Sequence, residues 1–220
     1  MNNDVKKERF TCDRCPGTFC AHGTGTQPKF CPMREYQQTM HEARDRYEEG
    51  LAGTLARPSA IIEKEGYLTH EGKTLPARDR LTEVIAFAKR IEAASVGMAF
   101  CMGLKREARA IASVLRDHGI VVESVQCKCG AIDKCDLGLP KEVKLGDCDA
   151  FEAACNPLLQ AELLNQAKTT FNLVVGLCIG HDMLFTHYSK APVSTLIVKD
   201  RQTGHNPLAS VYSAYHHGKG

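Results

Sequence analysis

"SVGMAFC" at residues 95–101, followed by "KREARAIASVLRDHG" at 105–119, decides the fold. The first stretch is a nearly unbroken apolar run of strand length, the pattern of a strand buried on both faces. The second puts Ala108, Ile111, Ala112 and Leu115 on one helical face and stops at Gly119, a residue that readily ends a helix. The alternation continues downstream. "IVVESVQC" reads as a second strand, "NPLLQAELLNQAKTT" as a helix with Pro157 near its start, "NLVVGLC" as a third strand and "VSTLIVKD" as a fourth. Strands alternating with helices predict an α/β fold, an open parallel sheet of about four strands with flanking helices and right-handed crossovers.

Upstream of residue 95 the periodicity is helical. Tyr36, Met40, Ala43 and Tyr47 share one face and Gly50 is expected to stop that helix; a short apolar helix is expected after Pro58. "EGKTLPARDR" reads as a loop leading to a second amphipathic helix with Leu81, Val84, Ile85, Ala88 and Ile91 on its apolar face. Residues 1–34 are rich in Cys, Gly and Pro and have too few apolar side chains for a core, so a bound metal would fold them. The expected organisation is a Cys-rich metal- or cluster-binding knuckle over 1–34, a helical segment over 35–94 packing on the core, and an α/β domain over 95–220.

The chain has 220 residues, 43% of them apolar and 25% charged, with a formal net charge of +2. That balance lacks the basic excess of a nucleic-acid binder. The start, "MNNDVKKERF", has no apolar stretch of a signal peptide, and no run approaches the roughly 20 apolar residues that span a bilayer. The expectation is a cytoplasmic protein with neither nucleic acid nor membrane as partner. Eleven cysteines in a reducing compartment then point to metal or redox chemistry rather than a disulfide framework. No GxGxxG, Walker loop, HExxH or GxSxG occurs, so nucleotide, zinc-protease and serine-hydrolase readings lack their usual marks.

The cysteines fall into two sets. "TCDRCPGTFC" supplies Cys12, Cys15 and Cys20, and Cys31 follows in a second Cys-Pro pair. Thiolates are soft ligands and a CxxC turn brings two to one metal, so these four would complete a sulfur shell for an iron–sulfur cluster or for zinc, with His22 able to replace one thiol. In the second set, Cys101, Cys127 and Cys178 end the first three strands, and Cys155 precedes the helix that Asn156 and Pro157 open. The carboxyl ends of parallel strands share one edge, where ligands bind, so these thiols would converge on a single site. The competing reading is that each is a small buried hydrophobe.

Polar groups follow the same edge. "GLCIGHDMLF" sets Gly180, His181 and Asp182 at a helix start whose free N–H groups would attract an anion. "IVKDRQTGHNP" puts Lys199, Asp200 and Arg201 at the end of the fourth strand, with His205 and Asn206 beyond. Read blandly, Asp182 is a helix cap, residues 199–201 a solvated turn and His205 a loop residue. His181, Asp182, Lys199, Asp200, Arg201 and His205 are the candidates to support a cluster or bind substrate.

The stretches "CDRCPGTFC", "CNPLLQAELLN", "VVGLCIGHDMLF" and "KAPVSTLIVKDRQTGHNP" resemble the prokaryotic cysteine-rich, metal-binding proteins grouped as domain of unknown function 1847. The resemblance covers nearly the whole chain. It implies metal ligands more than a particular reaction, and carried over by position it supports Cys12, Cys15, Cys20 and Cys31 as one set and Cys101, Cys127, Cys155 and Cys178 as another. Cys129, Cys135 and Cys148 fall outside its pattern. The expected function is a redox-active protein holding iron–sulfur clusters of the 4Fe-4S type, served by a redox partner protein or a small-molecule substrate. The alternative is a zinc-binding structural or metal-handling protein without catalysis.

Overall fold

The computed structural model describes residues 8–216; residues 1–7 of the expected knuckle and 217–220 of the expected α/β domain lie outside them. The chain divides into two compact units, Met1–Ala60 and Ile61–Gly220. The first contains the short helices α1 (Phe19–His22) and α2 (Pro32–Glu35), then α3 (Gln37–Asp45), and begins α4 (Gly50–Glu65). Among its described residues none is buried. Its clearest packing is an edge-on contact of Phe10 and Tyr36, ring centroids 5.4 Å apart, with the Arg9 guanidinium over both rings. A buried aliphatic or aromatic side chain contributes roughly 1.5–3 kcal/mol, and that contribution is missing here.

The helical stretch differs from its sequence reading in three places. Gly50, at φ +53°, opens α4 rather than stopping the helix before it, which ends at Asp45 and passes through a 3₁₀ turn at Arg46–Glu48. Pro58 lies inside α4 instead of opening a new helix. The expected loop at 71–80 is half of a hairpin: β1 (Tyr67–His70) pairs antiparallel with β2 (Lys73–Pro76). Its two-residue turn, Glu71–Gly72, has φ +49° and +75°, the doubly left-handed conformation that matches strand twist in tight hairpins.

From α5 (Arg80–Arg90) onward the elements follow the predicted alternation: β3 (Val96–Phe100), α6 (Lys105–Asp117), β4 (Val122–Gln126), α7 (Pro157–Gln166), β5 (Phe171–Val175), α8 (His181–Tyr188) and β6 (Val193–Ile197), before α9 (Leu208–His216). The four strands β3 to β6 form one parallel sheet in the order β4-β3-β5-β6. Both faces are covered, and the period of two along each strand decides which side chain goes where. Val96, Met98, Leu173 and Val175 pack with Val84, Ile85 and Ala88 of α5 and Ala108, Ala112 and Leu115 of α6. Ala99 and Val174 face the other way, onto Ala161 and Leu164 of α7 and Phe185 of α8. After β3 the chain moves outward to β4, then returns past β3 to β5. The carboxyl ends of β3 and β5 therefore flank the point where strand order reverses, the preferred ligand crevice of such sheets.

Candidate metal centre

Each sheet-edge cysteine is placed by the backbone that ends its strand. The ladder runs one residue beyond β3, with Cys101 N–H donating to Val175 O at 3.1 Å, and one beyond β4, with Cys127 N–H donating to Phe100 O at 2.8 Å. After β5, Gly176 turns at φ +65°, and a Cβ there would stand 2.9 Å from buried Leu104, so the turn that sends Leu177 into the core and leaves Cys178 half-buried requires glycine. Cys155 arrives by a long excursion. Residues 128–155 leave β4 and come back so that Asn156 N–H donates to Cys127 O at 2.6 Å, while the Asn156 side chain caps α7 by accepting Leu159 N–H at 3.0 Å.

The excursion is closed by charge. Asp133 accepts the N–H groups of Cys135 and Glu152 at 2.9 and 2.8 Å and pairs with Lys144 at 3.0 Å; Lys134 pairs with Glu152 at 2.8 Å. Those backbone donors, from Cys135 first, hold the Asp133 carboxyl well below the usual carboxylate range, and Asp133 in turn raises Lys144. A bridge between Asp133 and Ala153 completes the closure. Cys135 lies exposed within this excursion, and Cys129 and Cys148 are half-buried in it.

Three of the edge thiols shift one another's titration. Interaction with the Cys127 thiol, together with burial, pushes the Cys101 thiol up to about 12. At Cys127 the interaction with Cys101 lowers the pKa, but the interaction with Cys155 and burial outweigh it, and the thiol is raised. Cys155 is lowered to about 7 by its interaction with Cys127 despite its partial burial. Donors surround the sulfurs. The turn after β3 sends Met102 N–H to Cys127 Sγ at 3.3 Å; Lys199 Nζ reaches Cys101 Sγ at 3.3 Å and Arg201 Nη2 reaches Cys178 Sγ at 2.9 Å. Such donors favour thiolate over thiol.

The remaining sequence candidates take quieter positions. Asp200 accepts N–H bonds from Gln202 and Thr203, both at 3.0 Å, and its own N–H donates to His205 Nδ1 at 3.1 Å, so Asp200 and His205 shape the turn that presents Lys199 and Arg201. Hydrogen bonds from Thr203 hold the Asp200 carboxyl below its ordinary value. The helix start at 180–184 is not an open anion site: His181 and Asp182 N–H both donate to Cys178 O, Met183 N–H to Asp182 Oδ1 and Leu184 N–H to Gly180 O. His181 Nδ1 is buried and has no hydrogen-bond partner among the described residues.

In the first unit Cys12 and Cys15 are joined by a 3₁₀ turn, Cys15 N–H donating to Cys12 O at 3.1 Å, and Cys31 precedes Pro32 at the start of α2. Cys12 and Cys20 are exposed, Cys15 and Cys31 half-buried. Among the described residues no three His, Cys, Asp or Glu side chains stand in an arrangement that holds a metal ion, in either unit. Sequence reasoning reached the thiols, Lys199 and Arg201, but not the amide of Met102 or the excursion's closure. The one available signal for the latter was the return of "CN" just before an apolar helix.

The chain matches the model of family DUF1847, described as a protein of unknown function, over residues 31–196, and it belongs to that family. It is 40% identical over 205 residues to an uncharacterized protein of Methanocaldococcus jannaschii, an alignment covering 93% of this chain and 95% of that one. No solved structure matches. The matched segment holds all four sheet-edge cysteines and Cys31, whereas Cys12, Cys15 and Cys20 precede it.

Proposed function

We propose that this protein is a two-site metalloprotein: a redox-active iron–sulfur site at the carboxyl edge of the sheet and a structural thiolate site in the first unit. The observation that carries the reading is the set of donors aimed at the edge sulfurs, namely Lys199 on Cys101, Arg201 on Cys178 and the backbone N–H of Met102 on Cys127. Four thiols with this support fit a soft metal group. Neutral thiols need no such cations, and hydrogen bonds to sulfur are a main lever on cluster potential. Cys101, Cys127, Cys155 and Cys178 would hold the group, releasing their thiol protons. When bound, an iron–sulfur cluster supplies one-electron transfer. The protein's own part is to bind, to neutralise thiolate charge with Lys199 and Arg201, and to hold Cys155 beside Cys127 through the closed excursion. In the first unit the need is folding rather than electron transfer, because no described residue there is buried, and zinc would meet it as well as a cluster.

The test is anaerobic purification with iron, sulfide and zinc analysis and an absorption spectrum, on the natural protein and on Cys178→Ser. The natural protein should contain iron and sulfide and absorb broadly in the visible, and the variant should lose most of that absorbance while staying folded. Equal metal content and equal spectra would overturn the sheet-edge site. Zinc alone in both would leave only the structural half.

A further inference from the structure

We infer that Gln160 is the positioning residue of the sheet-edge centre, fixing in register the three elements that carry Cys101, Cys127 and Cys155; this rests on the proposed metal site at that edge. The buried stripe of α7 is Pro157, Gln160, Ala161 and Leu164, the spacing of one helical face, and Gln160 occupies its second position with 0% exposure. An apolar residue of that length would fill the same space. Instead Gln160 Nε2 donates to Val125 O at 2.7 Å and to Phe100 O at 3.4 Å. Phe100 immediately precedes Cys101 and also accepts the Cys127 N–H, while Val125 lies two residues before Cys127. The helix that bears Gln160 starts next to Cys155. One carboxamide thus joins the ends of β3 and β4 to the first turns of α7.

The need for such a tie follows from the topology. β4 is an edge strand paired only with β3, and the 128–155 excursion leaves from its end; Cys127 itself is held by backbone bonds to Phe100 and Asn156 and by the Met102 N–H on its sulfur, and Gln160 adds the side-chain tie from α7 that fixes this strand end laterally. The tie has a cost: Gln160 Oε1 is buried without a hydrogen-bond partner among the described residues, and a buried acceptor left unmet is unfavourable where an apolar side chain would not be. A residue kept for packing alone would not carry that cost. Among the described residues Gln160 hydrogen-bonds no sulfur; it acts through the two carbonyls that set the strand ends.

Cobalt(II) titration of the full chain tests this, because thiolate-to-metal absorption reports both affinity and ligand geometry. The part of the signal removed by Cys155→Ser defines the edge site. Gln160→Met should stay folded, bind cobalt(II) at that site about 10–100-fold more weakly and show altered ligand-field bands, as supporting-shell losses do. Leu164→Ala, one turn along the same stripe, should lower thermal stability at least as much yet leave the edge-site spectrum unchanged. Identical affinity and bands in Gln160→Met and the natural protein would overturn the assignment, as would Leu164→Ala producing the same spectral change. If Gln160→Met does not fold, Gln160→Glu, of the same shape but unable to donate when ionised, is read in its place; failure of both to fold makes Gln160 a core requirement only. If Cys155→Ser removes no cobalt signal, the edge binds no metal and the function proposed above falls together with this inference.

Discussion

The two cysteine sets differ in what holds them. At the sheet edge, the ladders of β3 and β4, the turn at Gly176 and the closed excursion position each thiol, and three of the four sulfurs receive donors from outside their own residue. In the first unit Cys12, Cys15, Cys20 and Cys31 hang on single turns, with no described residue buried around them. A buried core builds the edge site before any ligand arrives; the N-terminal thiols have no such core, so there the ligand would have to build the site. On the proposed reading, a bound metal group would serve opposite ends of the folding problem, as guest in one unit and as foundation in the other.

The largest effect expected from this difference is in the first unit. Cys15→Ser, or prolonged chelation, should abolish hydrogen-exchange protection across the described part of residues 8–49 while amides of β3 and β5 keep theirs, since the latter rest on Val96, Met98, Leu173 and Val175. Equal protection before and after chelation would put the two sets on the same footing. Next in size is Asp133→Asn, which should loosen the 128–155 excursion and weaken edge-site metal affinity about tenfold through movement of Cys155. Its pH dependence has a definite sign. The folded Asp133 carboxyl lies below its unfolded value of roughly 3.9, so its contribution is full above that pH and is lost as the pH falls through the folded value; Lys144, raised, contributes below roughly 10.4 and fades as the pH rises past its folded value. The stability gap between natural protein and variant should thus be widest between those limits and should shrink on acidification. A gap independent of pH would mean that the ion pair does not close the loop.

Element types were legible because the α/β layers are written in period: continuous apolar runs for strands covered on both faces, and Ala108, Ala112 and Leu115 at helical spacing between the first two. Strand order was not, since nothing local distinguishes β5 returning beside β3 from β5 continuing beyond β4. The hairpin was hidden because Glu71 adopts positive φ without being glycine or asparagine, and Pro58 misled because proline usually sits in a helix's first turn, whereas here it lies in the interior of α4, where it forfeits one backbone hydrogen bond without ending the helix. Within the site, the cysteines, Lys199 and Arg201 could be found by residue type. The backbone amide of Met102 could not, because any residue offers an N–H. Gln160 left a faint mark, a polar side chain on an otherwise apolar stripe, and only the position of the strand carbonyls gives that mark meaning.

The smallest effects compare charges near the two sets. Reduction adds an electron to a cluster, so a cation donating to a ligand sulfur favours the reduced form, and its removal should lower the potential without emptying the site. Lys199 is half-buried and Arg201 exposed, so Lys199→Met should lower the edge-site potential more than Arg201→Met, whose contribution solvent already screens. Salt separates them further: between ionic strengths of about 0.01 and 1 M the screening length falls from roughly 30 to 3 Å, and the Arg201→Met shift should shrink with it while most of the Lys199→Met shift remains. Arg14, beside Cys12 and Cys15, pairs with Glu8 at 2.8 Å on an open surface, and Arg14→Met should change neither metal content nor potential. Protein-film voltammetry of the three variants reads all of this in one measurement. A Lys199→Met protein with the natural potential would mean that the ammonium neutralises thiol charge for binding alone, and a shift in Arg14→Met would move the electron-carrying site to the first unit, reversing the roles assigned to the two sets.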